Sequence, residues 1–214
     1  MGQDESSADR LWRVDRAAGW LRDGGSVLLL GTASPDESTA MLVAITARTD
    51  TYRTLRGSAD PTRPATPYAA LADLLITVTD ADLAPLPEPQ RAILSGAPFR
   101  PGPRADYFTP AAVRVAVLNL LRRLARTGRV LLVIDQLHHL DPASADVLRF
   151  VARAAAGLPI HVLATEHLTS TARAAGHRMC PRPLLVLGLG SLTPADTSNL
   201  LDALTVPAPP DARS

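Results

Sequence analysis

Residues 129–153 read RVLLVIDQLHHLDPASADVLRFVAR, an order of apolar and polar groups that predicts a strand, a turn and a helix. Residues 129–135 (RVLLVID) carry an unbroken apolar run instead of an apolar–polar alternation. That is the pattern of a strand covered on both faces within a parallel sheet. The run ends on an acid, Asp135. Asp141-Pro142 then supplies an N-cap with proline at the first helical position, opening a helix to about residue 156 that Gly157 and Pro159 close.

The flanking segments repeat the alternation. Upstream, Thr109-Pro110 opens a helix to about residue 126, and Gly128 stops it. Downstream, residues 160–165 (IHVLAT) and 184–187 read as strands, and Thr193-Pro194 opens a short helix to residue 204. In the N-terminal half, residues 10–23 form an amphipathic helix with Leu11, Val14, Ala18 and Leu21 on one stripe, ended by Gly24-Gly25. Residues 26–30 (SVLLL) are a second buried strand, and a loop at 31–37 leads into a helix at 38–46. A strand is expected at 51–56, a loop at 57–67 and helix at 68–77. The proline- and glycine-rich residues 80–106 are expected to run over the surface, mobile in part. Strands alternating with helices long enough to cross over predict an α/β protein whose mostly parallel sheet is covered by helices on both faces.

The loop after the first strand bears on chemistry. A buried strand, a loop opening on glycine and a helix form the setting of the phosphate-binding pattern G-x-x-x-x-G-K-[ST]. There, backbone amides and a helix N-terminus cradle phosphates, lysine reaches the outer phosphates and the hydroxyl holds magnesium. In that register the chain reads Gly31-Thr32-Ala33-Ser34-Pro35-Asp36-Glu37-Ser38-Thr39. Gly31 and Ser38 match, while Asp36 replaces the second glycine and Glu37 the lysine. Pro35 removes an amide donor. A unit-charge pair at ~4 Å in an effective dielectric near 20 is worth about 4 kcal/mol. Half of that, lost as attraction and again as repulsion, weakens binding roughly a thousandfold. All 22 basic residues are arginine, so no lysine reaches in from elsewhere. Asp36 and Glu37 are expected to occupy the helix terminus themselves.

Asp135 stands where P-loop enzymes hold magnesium through an aspartate at a strand end, and Gln136 stands where a second acid often follows. Glutamine positions water but is a poor base. These features predict a P-loop NTPase-like three-layer sandwich over residues 1–205, with a proline-rich tail at 206–214.

Residues 129–153 resemble the Walker B region of the AAA/STAND-type ATPase domain found in large ATP-binding LuxR-type transcriptional regulators. Asp135, Leu137, His138, Leu140 and Asp141 match that family's strand, Asp-Asp, Leu-His-Trp-Leu-Asp pattern; Gln136 and His139 depart from it. Residues 66–75, 161–167 and 189–204 resemble its flanking segments in order and spacing, with His167 where an arginine usually stands. The resemblance implies an ATP switch within a longer chain that ends in a DNA-binding module. This sequence stops before such a module, as a fragment or as a free-standing relative acting through partners.

Taken with the altered loop, the expectation is a non-hydrolysing pseudo-ATPase serving as a cytoplasmic, bacterial regulatory or scaffold protein. It would work through a protein partner or its own copies, with no direct nucleic acid or membrane contact and no required cofactor. Its vestigial nucleotide site would comprise Gly31, Asp36, Glu37, Ser38, Thr39, Asp135 and Gln136. The alternative is a switch that binds ATP and magnesium weakly, Ser38 and Asp135 holding the metal. A third reading is a new enzymatic use of a carboxylate cluster of Asp36, Glu37 and Asp135.

Composition narrows the field further. A net charge of +1 gives no global pull toward polyanions, and 46% hydrophobic residues suffice for a core. One cysteine, Cys180, excludes an intrachain disulfide and suits a reducing compartment. The polar, acidic residues 1–10 do not read as a secretory signal, and no apolar run reaches the ~18 residues of a membrane span. His138 is expected to tie its loop to Asp141, Cys180 to be inert, and Trp12 and Trp20 to share one helical face.

Overall fold

The computed structural model describes residues 7–31, 33–49, 52–59, 66–95, 109–167 and 176–189. Five strands form one sheet: β1 (Ser26–Gly31), β2 (Tyr52–Ser58), β3 (Arg129–Asp135), β4 (Ile160–His167) and β5 (Leu184–Leu189). Their order is β2-β3-β4-β1-β5, and every pairing is parallel. The helices are α1 (Ser7–Arg22), α2 (Pro35–Thr46), α3 (Ala69–Leu74), α4 (Asp80–Leu83), α5 (Glu88–Ser95), α6 (Pro110–Ala125) and α7 (Pro142–Ala154).

The unbroken apolar strands make sense once both faces are covered. Along β1 and β3, Leu28, Val130, Leu132 and Ile134 point to one side and join a core that includes Val117 and Leu121 of α6 and Leu148 of α7. Val27, Leu29, Leu131 and Val133 point to the other, against Val14 and Leu21 of α1 and Met41 and Ile45 of α2. This is the expected three-layer arrangement.

Several boundaries differ from expectation for identifiable reasons. Helix α2 starts at Pro35, not residue 38, because Ser34 caps it and Pro35 takes its first position. Strand β2 runs on through Gly57 and Ser58, which keep register with Ile134 and Asp135. The segment from residue 80 is no surface excursion up to residue 95. It folds as α4 and α5, with Leu83, Leu86 and Ile93 buried in the core that includes Val117 and Leu121. A capping box between Thr79 and Asp82 opens α4. The Arg53 guanidinium of β2 grips Asp82 through two bonds of 2.7 and 2.6 Å, and this hydrogen bonding holds the carboxyl well below its usual range. Residues 96–106, the helix expected at 193–204 and the tail at 206–214 lie outside the described residues.

Candidate functional site

Parallel pairing delivers the C-terminal ends of β1, β3 and β4 to one edge of the sheet, where open α/β sheets bind ligands. Helix α2 begins at this edge, after residues 32–34. Two amides of its first turn are engaged: Ser34 Oγ accepts from the Glu37 amide at 3.3 Å, and the Ser34 carbonyl accepts from the Ser38 amide at 3.0 Å. Thus Ser34 caps the helix, where Asp36 and Glu37 were expected to. Asp36 is exposed, and Glu37 turns away to meet Arg10 of α1 at 3.2 Å.

The hydroxyl that reaches β3 belongs to Thr39, not Ser38. Thr39 Oγ1 donates to Asp135 Oδ2 at 2.6 Å. Successive helical residues point about 100° apart, so Ser38 cannot share that direction. The helix-side register therefore sets Thr39 at the metal-hydroxyl position, Ser38 at the lysine and Glu37 at the second glycine. From β4, the Thr165 hydroxyl donates to Asp135 Oδ1, and Thr165 Oγ1 accepts the Gln136 amide at 2.8 Å. Asp135 is buried, and hydroxyls engage both its oxygens.

Gly31 has another role than the one expected of a phosphate loop. A β-carbon there would lie 1.8 Å from the Leu189 carbonyl oxygen of β5. The neighbouring strand demands the glycine.

Beside the Asp135 clamp lies a cleft of about 230 Å³. Ala33, Pro35 and Ser38 form one wall; Gln136, His138 and His139 form another; Thr165 and His167 close it from β4. Among the described residues that line it there is no carboxylate. The third expectation, a cluster of Asp36, Glu37 and Asp135, is not brought together. Among the described residues no group of three His, Cys, Asp or Glu side chains is placed to hold a metal ion.

His138 does not tie its loop to Asp141; its Nδ1 accepts the His167 backbone amide at 3.2 Å. Asp141 instead caps α7 and accepts amides at the start of α3. Burial first, then His139 and His167, lower the His138 imidazole to about 4, with Asp135 pulling weakly the other way. A neutral ring accepting at Nδ1 carries its proton on Nε2. Since an unfolded histidine titrates near 6.5, the unfolded chain binds more protons between about pH 4 and 6.5. Stability contributed by this ring is complete above that window and falls as pH drops through it. Urea unfolding should show about 1–2 kcal/mol lost from pH 7 to pH 5 at this position, partial solvent access included, and His138→Gln should flatten that slope.

The remaining candidates are structural. Burial, followed by nearby Glu166, pushes the Cys180 thiol far above its usual range, which suppresses the thiolate. The two tryptophans of α1 differ in surroundings: Trp12 is exposed beneath Arg16, whereas half-buried Trp20 packs over Gly25.

A family model described as AAA ATPase domain matches residues 16–164, well over half of the chain. The chain belongs to that family. No curated protein sequence matches this AAA domain. Among solved structures, a chain from Drosophila ORC bound to DNA aligns with a TM-score of 0.51 at 14% identity, over 89% of this chain and 96% of that one. The Aeropyrum pernix ORC1 protein in complex with DNA gives 0.48 at 16% identity, over 91% and 49%. C. elegans PCH-2 gives 0.44 at 13%, over 87% and 45%. The AAA domain thus spans about half the length of the last two, and likeness at such identities shows the fold alone.

The family name implies ATP and magnesium, and the residues present do not fit them. Pro35 lacks an amide, the Glu37 and Ser38 amides are bonded to Ser34, and no lysine exists. Helix α2 begins at Pro35, four residues after the end of β1 at Gly31. Thr39 and Asp135 form a hydroxyl–carboxylate pair beside the cleft.

Proposed function

We propose that this AAA domain does not hydrolyse ATP and acts as a regulatory or scaffold module through protein–protein contacts, as a degenerate relative of the ATPase domain of LuxR-type regulators. The observation that carries this reading is the early, self-capped start of α2: Pro35 has no amide to offer, and the amides of Glu37 and Ser38 are bonded to Ser34. Electrostatics add to it, since neither Ser38 nor Glu37 supplies the missing cation.

Mg-ATP at 10 mM should leave the melting temperature unmoved. A dissociation constant of ~0.1 mM would contribute about 2.7 kcal/mol, roughly 5–10 °C for a chain of this size. A shift of that size, or phosphate release above an Asp135→Ala control, removes the reading. The double variant Glu37→Gly/Ser38→Lys, which follows the Thr39 register, should raise ATP affinity at least tenfold. Asp36→Gly/Glu37→Lys, which follows the strand-side register, should not.

A second reading, a weakly ATP- and magnesium-binding switch, draws on one observation. The described residues lining the cleft include no acid, and Thr39 still faces Asp135. The same thermal titration separates the two.

A further inference from the structure

We propose that the outer edge of β5 pairs with the same edge of a second copy of this chain, antiparallel about a two-fold axis at Val186. The seam gives the protein–protein contacts of the functional reading a surface. It uses no residue of the cleft, so it stands or falls apart from the question of ATP.

β5 lies at one end of the sheet, with β1 on its inner side. The Ser26 amide donates to the Pro183 carbonyl at 2.8 Å, and the parallel register runs unbroken from Leu184 to Leu189. Backbone groups alternate in direction along a parallel ladder, so Leu185 and Leu187 bond to β1. Leu184, Val186 and Gly188 therefore turn their N–H and C=O groups outward. Among the described residues none bonds to those groups.

Such an edge is a template for another strand unless charge, proline or a bulge blunts it. β5 reads Leu-Leu-Val-Leu-Gly-Leu, with no charge, no proline and no break in register. The opposite edge strand differs, since β2 carries Arg53 and Arg56 among its seven residues. Leu184, Leu185 and Val186 are only half-buried, whereas every residue of β1 is buried.

The pattern of the strand selects its occupant. Antiparallel pairing centred on Val186 sets Leu185 opposite the partner's Leu187, and Leu184 opposite the partner's Gly188. Outward residues then face outward residues, and each such pair exchanges both N–H···O bonds. A two-fold axis normal to the sheet keeps each face on its own side. Leu184 and Val186 pack on the core that includes Val117 and Leu148, while Leu185 and Leu187 join the one that includes Val14 and Ile45. Apolar side chains thus meet apolar side chains on both faces, and the bulk of Leu184 falls where glycine leaves room. A foreign strand would satisfy the same hydrogen bonds, yet no charge along β5 would select one. A single-strand seam is small beside the ~1,200–2,000 Å² of stable interfaces, so the pair is expected to be weak and concentration-dependent.

The test is sedimentation of the full chain from about 5 to 500 μM, with amide exchange followed at both ends of that range. A monomer–dimer equilibrium is expected, with exchange at Leu184, Val186 and Gly188 slowed at least fivefold at the higher concentration. Val186→Lys and Val186→Glu each place like charges directly opposite one another across the axis and should weaken the dimer at least tenfold. Mixing the two variants in equal amounts should restore it, which only folded chains meeting at this residue can do. A monomer at every concentration overturns the proposal. So does a dimer indifferent to both variants, or a mixture that stays monomeric. A melting shift with Mg-ATP removes the functional reading and leaves this seam untouched, whereas a chain that never dimerises removes only the seam.

Discussion

Replacing Asp141 with alanine should lower the unfolding free energy by about 3–4 kcal/mol, read as a shift in the urea midpoint. The carboxylate is buried and joins two elements far apart in sequence. Oδ1 accepts the Ser144 amide at 2.9 Å, capping α7, and the Tyr68 amide at 2.8 Å; Oδ2 accepts the Ala70 amide at 3.3 Å. Losing an N-cap costs ~1 kcal/mol, and each buried amide left without a partner costs ~1–3 kcal/mol where water cannot reach it. Asp141→Asn keeps one acceptor oxygen and should recover about half the loss. Equal stability of Asp141→Ala and wild type would mean that α3 is not held by this residue.

Gly31→Ala should cost about 2–3 kcal/mol and lower the melting temperature by roughly 8 °C. The added methyl would fall 1.8 Å from the Leu189 carbonyl oxygen and 2.7 Å from its carbon, both backbone atoms. β1 lies between β4 and β5 and cannot give way without breaking a ladder. β5 is an edge strand, so relief comes from its displacement, and hydrogen exchange should accelerate in residues 184–189 before it does in β3 or β4. An unchanged melting temperature would return Gly31 to the role of a ligand-binding glycine.

The sheet was legible because burial on both faces leaves a simple trace. Residues 130–134 and 27–30 show apolar runs too short for a span and too continuous for an edge, and both are central strands. Proline after Thr109 or Asp141 marked helix starts correctly for a local reason, the missing amide at a position that needs none. That same rule, applied to Ser34-Pro35, gives the true start of α2. It lost to the glycine pattern anchored at Gly31, and the site register moved with it by one residue. The hydroxyl that meets Asp135 depends on helix phase, which a strand-anchored count does not carry across a loop of altered length. The cleft was less legible still. His138, His139 and His167 come from two segments whose approach depends on the β3–β4 pairing, so the adjacent histidines alone gave little sign of a third. Proline density misled at residues 80–95, where short helices use Pro87 near a start and bury a single residue each.

Gln136 adopts a left-handed backbone (φ 57°), one of two such non-glycine residues in the described chain, and its amide is pinned by Thr165. Glycine in that conformation escapes a steric cost of ~1 kcal/mol, and its extra freedom when unfolded takes back ~0.5–1 kcal/mol. Gln136→Gly should accordingly be silent in stability. It erases one polar arm from the opening yet leaves the scaffold's energy where it was, a surgical edit that most positions in a folded chain do not permit. Lineages that drift at this position can thus change what the crevice attracts without first risking collapse.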